Sequence, residues 1–147
     1  MTSPLAAFYD VLETTIEALT PPDRTTVTYR HVDGHESPAG SSSDRQFWFP
    51  EPVSGNATAE RGGAMTEYAH NVSIVLKLVQ DGYGIRERAD RVVNEAVLIA
   101  RAIDKLSEQS WGAGISDVIT AGYTVEAGRR NEILVTIPLT VHTQETD

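Results

Sequence analysis

The residues best spaced for chemistry are His31, Asp33 and His35, which alternate across the glycine of a predicted turn. Alternate residues at the end of a strand share a face, so two imidazoles and a carboxylate could converge there on a divalent metal ion. Such a site would make the protein a metal-dependent hydrolase. A zinc site needs three or four ligands with an ordered second shell, and no further histidine is near in the sequence. Exposed or internally hydrogen-bonded histidines are the favoured interpretation, and we predict no metal.

Other catalytic motifs are incomplete or missing. The chain has no cysteine, which excludes thiolate catalysis, cysteine zinc sites and disulfide bonds. Gly82 and Gly84 look like the start of a dinucleotide turn, but Glu87 stands where the third glycine is required. The sequence contains no phosphate-binding loop, nucleophile elbow or zinc-protease helix motif. We therefore predict a protein without enzymatic activity or cofactor.

One amphipathic helix, from Arg86 to about Leu106, organises the predicted fold. Its apolar residues recur at alternating spacings of four and three, as on one buried helical face, and its charged residues are predicted to contact water. The apolar stripe consists of Ile85, Ala89, Val92, Ala96, Ile99, Ile103 and Leu106, widened by Val93 and Ala100. The charged face consists of Glu87, Arg88, Asp90, Arg91, Glu95, Arg101, Asp104 and Lys105.

Two alternating segments supply the flat apolar surface that this helix needs, because one helix cannot bury its own stripe. From Tyr68 to Leu78 and from Ile133 to Val141, apolar or aromatic residues occupy every second position, interrupted only by His70. A strand from about Val118 to Val125 makes a C-terminal hairpin with the second segment. Pro138 has no amide proton for a ladder, so the last strand is predicted to be an edge strand or bulged there.

The N-terminal part of the chain adds a second helix and a short strand. Ser3 and Pro4 form a helix start, and Pro21 ends the helix. The apolar side of this helix carries Leu5, Phe8, Leu12, Ile16 and Leu19. A short first strand is predicted from Thr25 to His31, because the segment is rich in β-branched residues.

A long flexible loop is predicted from residue 32 to about residue 65, where glycine, proline and serine replace any periodic pattern. Phe47, Trp48 and Phe49 interrupt it. These aromatic residues indicate either a segment that orders on a partner or a short strand, Gln46 to Phe49, at the edge of the core, and the sequence leaves both open.

Taken together, these elements predict one α+β domain spanning residues 1–147. Its sheet is mostly antiparallel or mixed, with about four to five strands, two main helices on one face and a C-terminal β-hairpin. The chain has no apolar run long enough to span a membrane and no signal-peptide pattern, so we predict a soluble protein that does not contact membranes. The net charge of −9 makes specific binding of nucleic acid unfavourable.

The order of elements carries a resemblance. An N-terminal helix, a strand and a glycine-rich excursion precede a long strand, Asn71 to Val79, that runs through Gly82 and Gly84 into the long helix. A hairpin containing Glu132 to Val141 closes the chain. This order resembles that of the tail terminator, or tail completion, proteins of long-tailed bacteriophages and of related minor tail and neck proteins. The resemblance covers nearly the whole chain as a pattern of elements. No catalytic or ligand motif defines the family, so no functional residue is transferred.

The resemblance implies a small viral tail protein that assembles as a hexameric ring. Such a ring caps the tail tube, ends its polymerisation and takes part in head–tail joining during virion assembly. The expected partners are other copies of the chain, the tail tube protein and a head-completion or neck protein, while DNA passes through the lumen without specific binding. The expected location is the head-proximal end of the tail in the virion, and the host cytoplasm during assembly. A head-completion or neck connector role is the near alternative; a metal-dependent hydrolase and a monomeric small-ligand binding module are the alternatives of other classes.

The residues predicted to contact partners are few and mostly large. Trp111 is either a lid on the end of the long helix or an interface anchor. Arg129 and Arg130, at the predicted hairpin tip, could pair with carboxylates of a partner. The complete set of interface candidates is Phe47, Trp48, Phe49, Trp111, Arg129 and Arg130.

Overall fold

Seven strands and two helices make up the part of the chain that the computed structural model describes, which is residues 4–22, 28–32, 45–50, 54–61, 65–80, 82–106, 111–112, 114–127 and 131–146. The strands form one sheet, in which β1 and β2 are parallel and all other pairs are antiparallel. The α+β class with a mixed sheet is therefore confirmed. The elements are α1 Pro4–Glu17, β1 Arg30–His31, β2 Gln46–Trp48, β3 Ser54–Arg61, β4 Met65–Val79, α2 Ile85–Asp104, β5 Ile115–Thr120, β6 Thr124–Ala127 and β7 Glu132–Thr146.

Two long strands, β4 and β7, form the centre of the sheet. Each has 15 residues, and they pair without interruption from Met65 opposite Thr146 to Val79 opposite Glu132. At roughly 3.4 Å per residue, each strand is about 50 Å long, more than twice the usual length. The other strands attach to this pair: β3 and β2 follow one another along β4, while β5 and β6 follow one another along β7.

Both helices pack on the same face of the sheet, as predicted. Their buried apolar residues form one cluster with alternate residues of the two central strands. The helices contribute Phe8, Leu12 and Ile16 from α1 and Val92, Ala96, Ile99 and Ile103 from α2; the strands contribute Val72, Ile74, Leu76, Leu78, Val135, Ile137, Leu139 and Val141. The opposite face carries a smaller cluster of Trp48, Val75 and Leu134. Neither helix in the described part of the chain is long and apolar enough to cross a membrane.

The predicted helix from Arg86 to Leu106 is present as α2, but the prediction of its faces was partly wrong. Ile85, assigned to the buried stripe, is 86% exposed. The reason is that α2 is first buried at Arg91, whose guanidinium reaches the carbonyl of Val79 at the end of β4. The helix therefore begins before it reaches the sheet. Arg91 and Glu95, assigned to the water-facing side, are buried.

Pro138 interrupts the ladder without placing β7 at an edge. β7 lies between β4 on one side and β5 and β6 on the other, so it is not an edge strand; its pairing with β4 is regular at Pro138, and the ladder on the other side stops at Leu139 and resumes at Thr136. The amide of Ala121 donates to the carbonyl of Pro138 at 3.3 Å. Because the N and O of a strand residue point to the same side, the nitrogen of Pro138, which has no proton, faces the break between β5 and β6. Gly122, with φ 73°, occupies that break. The single strand predicted from Val118 to Val125 is consequently two strands.

The region from residue 32 to residue 65 contains two strands where a long loop was predicted. β2 is the short strand that the sequence left open. β3 has no alternation of large apolar residues, and Gly55 and Ala57 are exposed, so no pattern marked it. β3 forms because β2 pairs only with residues 75–77 of β4, which leaves the backbone N–H and C=O groups of residues 65–71 available for another strand. Residues 33–44, 51–53 and 62–64 lie outside the described chain.

Replacing Gly55 with alanine tests how β3 docks on β4. A Cβ at Gly55 would lie 2.6 Å from His70 Nδ1, so the ring would have to turn and lose its 3.0 Å contact between Nε2 and Thr143 Oγ1. We expect Gly55→Ala to lower the free energy of unfolding by about 1 kcal/mol in a urea titration. In a His70→Ala background the same change should be neutral or stabilising, because alanine restricts the unfolded chain more than glycine does. An equal loss in both backgrounds would contradict this account.

Candidate functional site

Buried charged side chains distinguish the surface that joins α2 to the sheet. Arg91 and Glu95 lie one helical turn apart and are 5% and 1% exposed. They flank Val92 and Ala96 of the apolar stripe, so helical periodicity alone placed them on the charged side. The partners of Glu95 come from distant parts of the sequence and those of Arg91 from the segment just before α2, so the pattern of α2 by itself could not indicate their burial.

The carboxylate of Glu95 is held by two residues that precede it by 50 and 66 positions. Arg45 Nε donates to Oε1 at 2.8 Å, and Arg45 Nη2 lies 2.6 Å from the same oxygen. The hydroxyl of Tyr29 donates to Oε2. Both partners are themselves buried. A buried carboxylate is tolerated under these conditions, because its charge is paired and both oxygens accept hydrogen bonds.

Arg45 also connects three elements through its backbone and side chain. Its amide donates to the carbonyl of Lys77 on β4 at 3.1 Å, and its carbonyl accepts from the amide of Arg30 on β1 at 3.0 Å. Its side chain reaches Glu95 on α2. Its φ of 64° places it in the left-handed region, which costs a residue with a Cβ on the order of 1 kcal/mol. Arg45 therefore combines two features that are unfavourable by themselves, a buried charge and a strained backbone conformation.

A second polar cluster ties α2 to the ends of the central strands. Arg91 Nη1 donates to the carbonyl of Val79 at 2.7 Å and to Gln80 Oε1 at 2.5 Å. The guanidinium lies 4.1 Å from the centre of the Tyr83 ring, a cation–π contact. The amide of Gln80 donates to the carbonyl of Asn131, just before β7, at 2.7 Å. This cluster therefore fixes the first buried turn of α2 against the end of β4 and the start of β7.

A third buried pair lies between the central strands. Lys77 Nζ of β4 is 3.4 Å from Glu132 Oε2 of β7, and the side chain of Lys77 is fully buried. The clusters around Glu95 and Lys77 pair opposite charges within the fold. Among the described residues, no group of three or more His, Asp or Glu residues is placed to hold a metal ion.

The predicted metal ligands are only partly within the described chain. His31 Nδ1 lies 3.6 Å from Glu13 Oε1, and the His31 ring contacts Phe47 and Phe49 at centroid distances of 5.4 and 5.1 Å. Asp33 and His35 lie outside the described residues, so their convergence with His31 stays a prediction. Metal analysis of the purified protein would test it, and bound metal lost on replacing His31 would favour the hydrolase alternative.

Most of the aromatic interface candidates lie in the interior of the chain. Phe47 is fully buried in the main core, and Trp111 packs on Phe8 of α1 at a centroid distance of 4.8 Å. Trp48 is buried on the opposite sheet face, and Phe49 is half-buried beside Tyr9. These positions stabilise the subunit itself, and an interface role for any of them stays a prediction. Arg129 and Arg130 lie outside the described residues.

A different apolar surface emerges from the fold. Ile119, Tyr123 and Val125 are between 39% and 46% exposed, and they lie on β5, β6 and the break between them. We call residues 115–127 the apolar edge. In the described chain, three of the five exposed large apolar side chains lie there. The sequence marked this segment as a strand, but only the sheet order revealed that nothing in the described chain covers its outer side.

Comparison with known proteins identifies no relative, so a function is argued from the fold and the apolar edge. No model of a known protein family matches the chain, and no curated protein gives a significant match to it.

Removing one partner of Glu95 tests whether its charge is compensated as described. Arg45→Met keeps most of the side-chain volume but leaves a buried carboxylate without its cation, so we expect the free energy of unfolding to fall by about 3–5 kcal/mol. The triple variant Tyr29→Phe, Arg45→Met, Glu95→Leu removes all the polar groups together and should be more stable than Arg45→Met alone. Urea unfolding of both variants measures this. A single variant as stable as the original protein would show that Glu95 does not depend on Arg45.

Proposed function

We propose that the chain is a structural virion protein of the tail-terminator type. In this proposal, copies of it form a ring on the end of a phage tail tube, end tube polymerisation and provide the head–tail joining surface. The observation that carries the proposal is the pair of 15-residue strands at the centre of a helix-covered sheet. Such strands are longer than a subunit of this size needs for its own core, and they appear in the order of elements that resembles the family.

The uncovered parts of these strands support an assembly role. In β4, the continuous buried stretch starts near Val72, while residues 66–71 are half-buried or exposed. On the β7 side the core reaches Val141, the partner of His70, and Ile115, the partner of Thr143, so only the first residues of β4, 65–67, with β3 along them, extend past it. Sheet that is not needed for the core of one subunit is available for contacts with a neighbouring copy.

The apolar edge supplies a second argument for self-association. Exposed apolar side chains at the border of a sheet can contribute to an interaction surface, and here they lie on both faces of that border, Val125 on the face of Val135 and Ile119 on the opposite face. The amide of Val118 already donates to Asp117 Oδ1 at 2.9 Å, which favours contact through side chains over extension of the ladder at this point. The apolar edge and β3 lie at opposite borders of the sheet. If the apolar edge of one copy contacts the β3 border of the next copy, each end of the resulting chain of copies still has one of these two surfaces available. Repetition of such a contact gives a ring when the rotation closes.

The charge of the chain fits passage of DNA. A net charge of −9 on each subunit makes an acidic ring, and an acidic lumen repels the phosphate backbone. This agrees with a lumen through which DNA moves without specific binding.

Particles that lack the protein test the termination role directly. We expect electron microscopy to show overlong tails or tails without heads, because nothing would stop the tube or join it to the head. Tails of normal length beside separate, filled heads would favour the neck connector alternative. Normal, fully joined particles would refute both roles.

Self-association can be tested in solution with matched variants. We expect Val125→Lys to reduce assembly by at least about tenfold in the presence of tube ends, since a lysine ammonium would have to be desolvated in the contact. Val93→Lys is the control, because Val93 is similarly exposed but lies on α2. Mass measurement over a range of concentrations gives the readout. A protein that stays monomeric even with tube ends would favour the small-ligand binding module, and equal assembly of both variants would exclude the apolar edge from the contact.

A further inference from the structure

We propose that β1 and β2 unfold together, losing their hydrogen bonds to each other and to β4, while the rest of the sheet stays folded, and that Tyr29, Arg45 and Glu95 form the latch that holds them closed. We call residues 28–32 and 45–50 the edge unit. The inference concerns a single subunit and goes beyond the proposed function, because it holds whatever the chain assembles with.

The edge unit has only a narrow attachment to the sheet. β2 pairs with β4 over three residues, Gln46–Trp48, and β1 pairs with β2 over two, Arg30–His31. In contrast, β4 and β7 pair over fifteen. Short, peripheral strands with few ladder bonds open at lower free energy than central ones. The side chains of Tyr29 and Phe47 are buried in the main core, so their packing holds this narrow piece together with the latch.

The latch joins the edge unit to α2 at one point. Tyr29 precedes β1 and Arg45 precedes β2, so both strands of the unit enter it through a residue that bonds to the carboxylate of Glu95. Arg45 adds main-chain bonds to β1 and to Lys77 of β4. Because one residue makes contacts with three elements, the contacts of the unit to α2 and to β4 are coupled and should break together.

Two contributions to the free energy of opening favour release of the latch. When the edge unit opens, water solvates the charges of Arg45 and Glu95, so breaking their ion pair costs much less free energy than the Coulomb attraction between them. Opening also frees Arg45 from its left-handed backbone conformation, at φ 64°, and so relieves strain. The latch therefore specifies one closed position without making it permanent. Opening would leave residues 75–77 of β4 without their ladder partner, an edge at which a strand can add.

Native-state hydrogen exchange on the full chain tests the proposal without any variant. The reporters are the amides of Arg30, Val32 and Arg45, which bond to the carbonyls of Arg45, Phe47 and Lys77 at 3.0, 2.9 and 3.1 Å. The references are amides of the β4–β7 ladder. We expect the reporters to exchange through an opening with a lower free energy and a weaker dependence on urea than the references. Reporters that match the references in both respects would overturn the proposal, because the edge unit would then open only with the whole domain.

A matched pair of variants then tests the latch itself. Glu95→Gln keeps the shape and removes the charge, so we expect the three reporters to exchange about ten- to a hundredfold faster, with a smaller effect on the references. Glu132→Gln makes the same chemical change in the Lys77–Glu132 pair, which joins β4 to β7. It should weaken protection of the references and leave the reporters at their original rates. Tyr29→Phe is the milder latch variant should Glu95→Gln fold poorly.

The outcomes separate this inference from the proposed function. If Glu95→Gln accelerates reporters and references by the same factor, Glu95 stabilises the whole domain and is not a latch. A chain that forms no ring but shows selective opening keeps the latch and loses the proposed function. A chain that terminates tails but exchanges as one unit keeps the function and loses the latch.

Discussion

The fifteen-residue pairing of β4 with β7 is the constraint on which the rest of the structure depends. A ladder about 50 Å long cannot be covered along one face by a single helix of 20 residues, which spans roughly 30 Å. The remaining length must be stabilised by other means. The second helix, α1, packs on the same face as α2, β3 pairs with the first part of β4, and β5 and β6 share the outer side of β7.

The buried charges have a related physical purpose. An apolar stripe on an apolar sheet makes similar contacts in several positions, whereas a buried ion is tolerated only where its partners are. Glu95 has its partners at Arg45 and Tyr29, and Arg91 has its partners at Val79 and Gln80. These contacts define where α2 lies on the sheet. They contribute more to a single well-defined arrangement than to net stability, because each charge also gives up its hydration.

The interface candidates show what residue type alone leaves open. Phe47 and Trp111 are large and lie in irregular sequence, which allowed either a surface role or a core role, and both pack in the core of the chain. Trp111 packs on Phe8 of α1, far away in the chain, and Phe47 contacts His31 of β1. The apolar edge around Ile119 and Val125 looked like an ordinary strand, and its exposure follows from its place at the border of the sheet. The fold thus redirects the proposal of self-association from the aromatic excursion to the apolar edge.

Local periodicity by itself determined the two helices, the two central strands and the α+β class, because a strongly amphipathic segment has only one conformation that puts its apolar residues on one side. It also determined that Pro138 must disturb the ladder, since the missing proton is a property of the residue. Only the tertiary structure decided that β3 forms, that the ladder breaks on the β5–β6 side, and that Arg91 and Glu95 are buried. In each of these cases the deciding partner is remote in sequence or on a neighbouring strand, and a pattern read along one segment contains no information about what will lie beside it.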